Sequence, residues 1–401
     1  MDNRKLEFID LFAGIGGIRL GLEQSLSELN IDHKCVFSSE IDIKSQETYK
    51  MNFSESIAGD IRDVNELPEH DLLLAGFPCQ AFSYAGKKKG FVDTRGTLFF
   101  EIERLLKNLK NKPEYLFLEN VRGFTSHDGG RTCQTVINSL EALGYKTKIL
   151  ILNSSSFNVP QNRVRVYIIC RLNSDIEINL DSDLGSADSH SFKNDCQQKS
   201  LFENFNGPLI KVKDILESSV PIKYHCSSKF KEQLSKAIGN KRFEYLHGFR
   251  MIDYRGGNSL HSWDLGIRGE CSEKEKLFMK NLIENRRKKK FGEFQDGKKL
   301  SLNQIKTFWK EKDVEETIAS VIVKGYLKED NGKFNPIAGN MSFEVFKFLD
   351  PESISITIVS SDANRLGIVD KGMPRRITPR ECARLQGFPD NFALHPDDSF
   401  S

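Results

Sequence analysis

The sequence predicts an α/β protein: a doubly wound, mostly parallel sheet joined to a second, loop-rich domain. Three observations carry this expectation. The first 171 residues alternate short apolar runs with helical patterns, as strands alternating with covering helices do. Several of those runs end in glycine or a carboxylate, at Gly14 to Gly17, Glu40, Gly59-Asp60, Gly76 and Glu119. That is the profile of an open sheet binding a nucleoside at its carboxyl edge. After Arg171 the pattern dissolves into a stretch rich in Ser, Asp, Asn and Gln, and regular pattern returns only near Arg376. The expected boundaries are 1–171, 172–373 and 374–401, with the first and last parts forming one domain.

Composition sets the outer limits. A chain of 401 residues is too long for one small core. Hydrophobic content of 38% and charged content of 28% are ordinary for a globular protein. The net charge of +2 decides nothing about nucleic acid; the distribution of charge must be read instead. Met1 to Glu7 holds no apolar signal core, and no run reaches the roughly 18 apolar residues of a membrane span. The eight cysteines are scattered and form no C-x-x-C pair. Reduced thiols in a cytoplasmic protein are expected, with neither a disulfide framework nor a metal site.

Leu6 to Phe12 predicts the first strand. It runs into Ala13-Gly14-Ile15-Gly16-Gly17, and a helix begins near Ile18. This arrangement brings backbone N–H groups and a helix N-terminus to a cofactor. Arg19 occupies the third position of a dinucleotide fingerprint, which argues against a nicotinamide cofactor. Lys34 to Ser39 predicts the second strand, ending at Glu40, where a carboxylate can accept hydrogen bonds from ribose hydroxyls. A helix is expected from Ile43 to Asn52, and a brief strand at Ile57-Ala58 before Gly59-Asp60-Ile61.

Leu72 to Ala75 predicts a buried strand that delivers Gly76-Phe77-Pro78-Cys79-Gln80 to a long polar loop, Ala81 to Arg95. A cysteine at a strand end, held by a proline, is placed to act as a nucleophile; a small buried thiol is the alternative. Thr97 to Leu109 is expected to be a helix with Leu98, Ile102, Leu105, Leu106 and Leu109 on one face. Tyr115 to Leu118 predicts a strand ending in Glu119-Asn120-Val121. Arg131 to Leu143 is the next expected helix, with Gly144 past its end. Lys148 to Leu152 and Val164 to Cys170 predict a further strand pair, joined through Gln161-Asn162-Arg163-Val164-Arg165.

Residues 209–372 mix short helical patterns and glycine turns with a basic run, Arg286 to Lys290, and with Lys298, Lys299, Lys306 and Lys310. Trp263, Phe291, Phe294 and Trp309 lie among or near these charges. Such a segment is either a solvated face or a surface for phosphates and bases. Further on, Thr378 as N-cap, Pro379 in the first turn and Glu381 three residues later predict a capped helix through Leu385, ending at Gly387-Phe388-Pro389.

Taken in order, Phe12 to Gly17, Glu40, Gly59-Asp60-Ile61, Pro78-Cys79-Gln80, Glu119-Asn120-Val121, Gln161-x-Arg163-x-Arg165 and Arg384 to Pro389 resemble the DNA (cytosine-5)-methyltransferase family of bacterial restriction–modification systems. The resemblance covers roughly residues 6–171 and 374–395. It implies a Rossmann-like, S-adenosylmethionine-dependent sheet whose variable middle is a target recognition domain. It implies Cys79 as the thiol that adds to cytosine carbon 6, Glu119 as the acid facing the base, Arg165 on the base oxygen and Arg163 bracing the site. For the methyl donor it implies Phe12, Gly14, Gly16 and Gly17 at the pocket, Glu40 at the ribose, Asp60 and Ile61 at the adenine, and Pro78 and Leu98 completing the wall. The target base would be flipped out of duplex DNA. Ser83 to Arg95 resembles the family's mobile catalytic loop, and Gln80, Ser83, Arg95, Lys288 and Lys289 are the expected DNA contacts. A cytoplasmic, nucleoid-associated monomer follows, with a cognate restriction endonuclease as a functional partner that forms no stable complex.

The chain departs from the pattern twice. Ile41 follows Glu40 where many relatives carry an aromatic that stacks on adenine. The sequence stops at Ser401, whereas the family continues into a final segment completing the cofactor pocket. The second departure leaves a truncated, inactive DNA-binding relative, or one subunit of a split methyltransferase, as the alternative. An RNA cytosine methyltransferase of the same fold is a further one.

Overall fold

The computed structural model describes residues 4–78, 98–176, 209–293, 297–337, 343–359 and 363–397. Cys79, Gln80, Ser83, Arg95 and Phe294 lie outside the described residues. The chain forms two compact units, Met1–Leu209 with Gln386–Ser401, and Ile210–Leu385.

In the first unit the strands are β1 (Leu6–Leu11), β2 (His33–Ser39), β3 (Leu72–Ala75), β4 (Tyr115–Val121), β5 (Tyr145–Asn153) and β6 (Val164–Leu172). They form one sheet in the order β2-β1-β3-β4-β6-β5. The first four run parallel, and β6 is antiparallel to both β4 and β5. The helices are α1 (Gly17–Glu28), α2 (Ile43–Phe53), α3 (Leu98–Asn108) and α4 (Arg131–Ala142). Strand order reverses on either side of β1, the topology that opens a crevice at the carboxyl ends. The strand expected at Ile57-Ala58 is instead a single bridge: Ala58 donates to Ser38 O and accepts from Glu40 N–H, each at 2.9 Å. Gly59 and Asp60 turn the chain away before a second pair can form.

Helical spacing explains the larger core. Phe99, Ile102, Leu105 and Leu106 of α3 and Val136, Ile137 and Leu140 of α4 meet Ile9, Leu73, Leu116, Leu118, Val166 and Ile168 of the sheet. Each such side chain contributes about 1.5–3 kcal/mol on burial. A smaller cluster occupies the opposite face, where Phe8, Cys35 and Leu74 pack with Ile18 and Leu22. The chain returns to this unit after residue 385. There Asn52 exchanges two hydrogen bonds with the backbone of Ala393, at 2.9 and 2.7 Å.

The second unit contains α5 (Ser228–Ile238), β7 (Arg250–Met251), β8 (Ser259–Leu260), α6 (Glu273–Asn285), β9 (Leu300–Ser301), α7 (Leu302–Ile305), α8 (Val314–Val323), β10 (Leu327–Asp330), β11 (Lys333–Pro336), β12 (Lys347–Phe348), β13 (Leu366–Asp370), β14 (Met373–Arg376) and α9 (Pro379–Leu385). Its strands form two sheets, β10-β11-β9 and β14-β13-β12-β7-β8. The expected cap of α9 is present: Thr378 N–H donates to Glu381 Oε2 at 2.9 Å, and Glu381 N–H donates to Thr378 Oγ1 at 3.1 Å.

The aromatic residues of the basic segment correct one expectation. Trp263 and Trp309 are buried in a core with Phe278, Leu282, Ile318 and Val321, and Phe291 packs against its edge. They fill the unit's interior instead of presenting faces to bases. Arg286 is likewise buried, bonded to Asn335 Oδ1 at 2.6 Å and Lys298 O at 3.2 Å. The exposed part of the run is Lys288 to Lys290.

Candidate active site

Strand register brings the sequence motifs to one line. Ser39, Leu11, Ala75 and Leu118 are successive partners across β2, β1, β3 and β4. The residues that follow them are Glu40, Phe12, Gly76 and Glu119. Four motifs spread from Phe12 to Glu119 therefore leave the sheet at one level of its carboxyl edge. A Cβ placed on Gly76 would lie 3.6 Å from Glu119 Oε2 and 3.9 Å from Phe12 O, which fixes how closely three of the motifs approach.

The glycine turn is built for close approach. Phe12 holds a left-handed φ of 54°, a conformation rare for a bulky residue and associated with functional sites. Gly16 has φ 89°, and a Cβ there would sit 2.2 Å from the Phe53 ring. Above Gly14 a Cβ would meet nothing, so the turn is open on the side where a ligand would come. Glu40 ties the turn to the second strand: its carboxylate accepts from Gly14 N–H and Asp42 N–H, both at 2.8 Å. A cleft of ≈ 860 Å³ runs from this turn along the sheet; Phe12, Gly17, Gly76, Glu119, Arg163 and Phe388 are among the residues lining it. That volume suits a nucleoside-sized ligand.

Beneath the turn lies a buried polar cluster that sequence reasoning missed. Arg19 donates to Glu23 Oε1 at 2.8 Å, Tyr49 Oη at 2.8 Å and Glu55 Oε2 at 2.7 Å, and its guanidinium lies 4.1 Å from the Phe53 ring centre. Asp10 is buried beside it with no hydrogen-bond partner on either carboxylate oxygen. Burial pushes the Asp10 carboxyl up to about 7, against the opposing pull of the Arg19 charge.

Glu119 stands at the end of β4, and Arg165 Nε donates to its Oε1 at 2.8 Å. The bond follows from register, since β4 and β6 pair Val121 with Arg165 and Glu119 with Tyr167. Arg165, to which the resemblance gave the base oxygen, thus also pairs with Glu119. Arg163 lines the cleft, and its guanidinium is depressed by burial and by the Arg165 charge. The β5–β6 connection is clamped by Asn153, whose Oδ1 accepts from Arg163 N–H at 2.9 Å. A second missed residue is Asn120: buried, it donates to Phe77 O at 2.9 Å and pins the backbone two residues before Cys79. Its signal in the sequence was parity, because Asn120 shares the inward face of β4 with Leu116 and Leu118.

The remaining expected positions are mixed. Asp60 caps a short turn and pairs with Arg62, which holds its carboxyl below the usual range. The Ile61 side chain is buried in the core. Ile41 is 62% exposed. Pro78 is exposed, and Leu98 packs partly against the core. Among the described residues no cluster of His, Cys, Asp or Glu could hold a metal ion, and no helix is long and apolar enough to cross a membrane.

Known proteins match the chain over nearly its whole length. The family model described as C-5 cytosine-specific DNA methylase matches residues 6–401. The chain is 58% identical to the Type II methyltransferase M.BanI of Aneurinibacillus aneurinilyticus, over 99% of this chain and 91% of that protein. It is also 58% identical to the Type II methyltransferase M.HgiCI of Herpetosiphon aurantiacus, over 99% and 93%. Two solved structures share the fold: S. pombe Dnmt2, at 19% identity over 98% of this chain and 91% of that one with a TM-score of 0.50, and EhMeth of Entamoeba histolytica, at 17% over 99% and 92% with a TM-score of 0.51.

Proposed function

From the premise that the chain belongs to the C-5 cytosine-specific DNA methylase family, we propose that Cys79 and Glu119 act together at the carboxyl edge of the first unit's sheet on a flipped-out cytosine. The enzyme is a DNA (cytosine-5)-methyltransferase of the restriction–modification type. The observation that carries the assignment of residues is the single row of Glu40, Phe12, Gly76 and Glu119, three residues short of Cys79.

Cytosine carbon 5 is a weak nucleophile. Addition of the Cys79 thiolate to carbon 6 turns the ring into an enamine and makes carbon 5 reactive. That addition needs a hydrogen bond or proton at ring nitrogen 3. Glu119 is suited to supply it, because Arg165 engages Oε1 while Oε2 faces Gly76. Arg165, held beside Glu119 by that same ion pair, would hydrogen-bond the base oxygen, and Arg163, on the wall of the cleft, would brace the site. S-adenosylmethionine, when bound, supplies the methyl group. The open turn at Gly14 and the left-handed Phe12 fit such a ligand, with Gly16, Gly17, Glu40, Ile41, Asp60, the Ile61 backbone, Pro78 and Leu98 around it. Loss of the carbon 5 proton then expels Cys79. Gln80, Ser83, Arg95, Lys288 and Lys289 are the proposed DNA contacts. The enzyme acts as a monomer, and a cognate endonuclease shares its site without a stable complex.

The test is methylation of whole bacterial DNA by this chain with S-adenosylmethionine, read by bisulfite sequencing. Modified cytosines in one repeated short context are expected. DNA binding without any modification would favour the inactive or split-subunit alternative.

A further inference from the structure

Several buried or half-buried cations in the second unit come with partners. Arg375 pairs with Glu381 and Asp370, Lys324 with Glu275, and Lys276 with Glu273. Arg286 spends its guanidinium on Asn335 Oδ1 and Lys298 O. Arg250 and Lys347 instead face each other. They are direct partners across the antiparallel β7–β12 pair, so their side chains leave the same face of the sheet about 4.5–5.5 Å apart at the backbone. Both are half-buried. Neither has a salt bridge or side-chain hydrogen bond among the described residues. The flanking positions in the same row are neutral: Leu366 beside Lys347 and Ser259 beside Arg250. Burial, and then the Arg250 charge, hold the Lys347 ammonium below its usual range.

Like charges placed directly opposite each other destabilise a sheet, and burial without a counter-charge adds to the cost. The arrangement makes physical sense if an anion arrives. On the reading that this chain acts on duplex DNA, we infer that Arg250 and Lys347 form a phosphate anchor of the second unit, gripping a DNA backbone phosphate. A phosphodiester suits the pair better than a base edge does. It brings a full negative charge and two acceptor oxygens to two adjacent cations, whereas the acceptors of a base are neutral. The strands hold the pair in fixed register, so the anchor sets where the duplex sits before any base is read.

Arg250→Met with Lys347→Met keeps both hydrocarbon stems and removes both charges. Binding is measured across a salt series with two duplexes: one of mixed sequence, and one carrying the site found by bisulfite sequencing. Wild type must bind first; its failure would remove the DNA reading itself. The double variant is expected to lose roughly tenfold or more in affinity for both duplexes, with the log–log salt slope shallower by about 2, while its thermal midpoint stays level or rises. Unchanged affinity and slope would overturn the anchor. So would a loss confined to the duplex carrying the site with the slope intact, which is base reading. A lower midpoint would also overturn it, since the pair would then be satisfied within the fold.

Discussion

Glu119 serves two neighbours at once. Its Oε1 is taken by Arg165 Nε at 2.8 Å, and its other oxygen is left toward the edge where the base would enter. Glu119→Gln keeps the shape and a hydrogen bond but cannot act as an acid. Turnover should fall by roughly a hundredfold or more with DNA affinity retained; near-wild-type turnover would remove Glu119 from that role. Asp10 makes a prediction about pH. Its carboxyl is held at about 7 in the fold and titrates near ~4 in an unfolded chain. Between those values the folded protein keeps a proton that the unfolded chain has lost. Stability therefore falls as pH rises through this window, and the full penalty is present above it. Asp10→Asn should raise the thermal midpoint at about pH 8 and leave it little changed at about pH 4. An equal loss at both pH values would contradict the burial account. The places of Glu40 and Glu119 at the sheet's carboxyl edge were legible in the sequence because each motif is local. Asn120 was not, because its bond to Phe77 O joins positions 43 apart. Nor was the pairing of Arg165, which depends on antiparallel register.

Whole elements were legible where a period or a cap specified them. The apolar face of α3, the four-residue run of β3 and the capping box of α9 are written in contiguous residues. Ile57-Ala58 was misread because an apolar pair satisfies a strand pattern without being long enough to build a ladder. What closes the α9 region was hidden. Arg375 Nη1 and Nη2 each donate to Glu381 at 2.8 Å, and its Nε donates to Asp370 Oδ2 at 3.0 Å. Arg375 and Glu381 are almost wholly buried. Removing one member of such a pair strands the other charge, at a cost of about 3–5 kcal/mol. Arg375→Ala should therefore lower the urea midpoint of the protein markedly. A shift within that of an ordinary surface substitution would show that the pair is hydrated in solution.

At the scale of the molecule the chain divides into two compact units, and the sequence did not show how the second one uses its charges. The run from Arg286 to Lys290 stood out as a block in the sequence, yet Arg286 is structural and the nearby tryptophans form a core. Arg250 and Lys347, 97 positions apart, drew no attention until strand pairing made them neighbours. A five-stranded sheet assembled from two-residue strands such as β7, β8 and β12 carries almost no periodic signal, which is why this region reads as irregular. In the first unit the strands are longer and the first four run parallel, so motif order already implied the edge. The claim on which the rest depends is that this edge presents Cys79 to cytosine carbon 6. The most direct measurement uses a duplex whose target cytosine is replaced by 5-fluorocytosine, incubated with the chain and S-adenosylmethionine and followed by peptide mass spectrometry. Carbon 5 then carries fluorine in place of the proton that must leave, so the thiol cannot be expelled. A stable adduct at Cys79, lost in Cys79→Ser, is the predicted result. An adduct on another residue, or methylation of ordinary cytosine that survives in Cys79→Ser, would contradict the account.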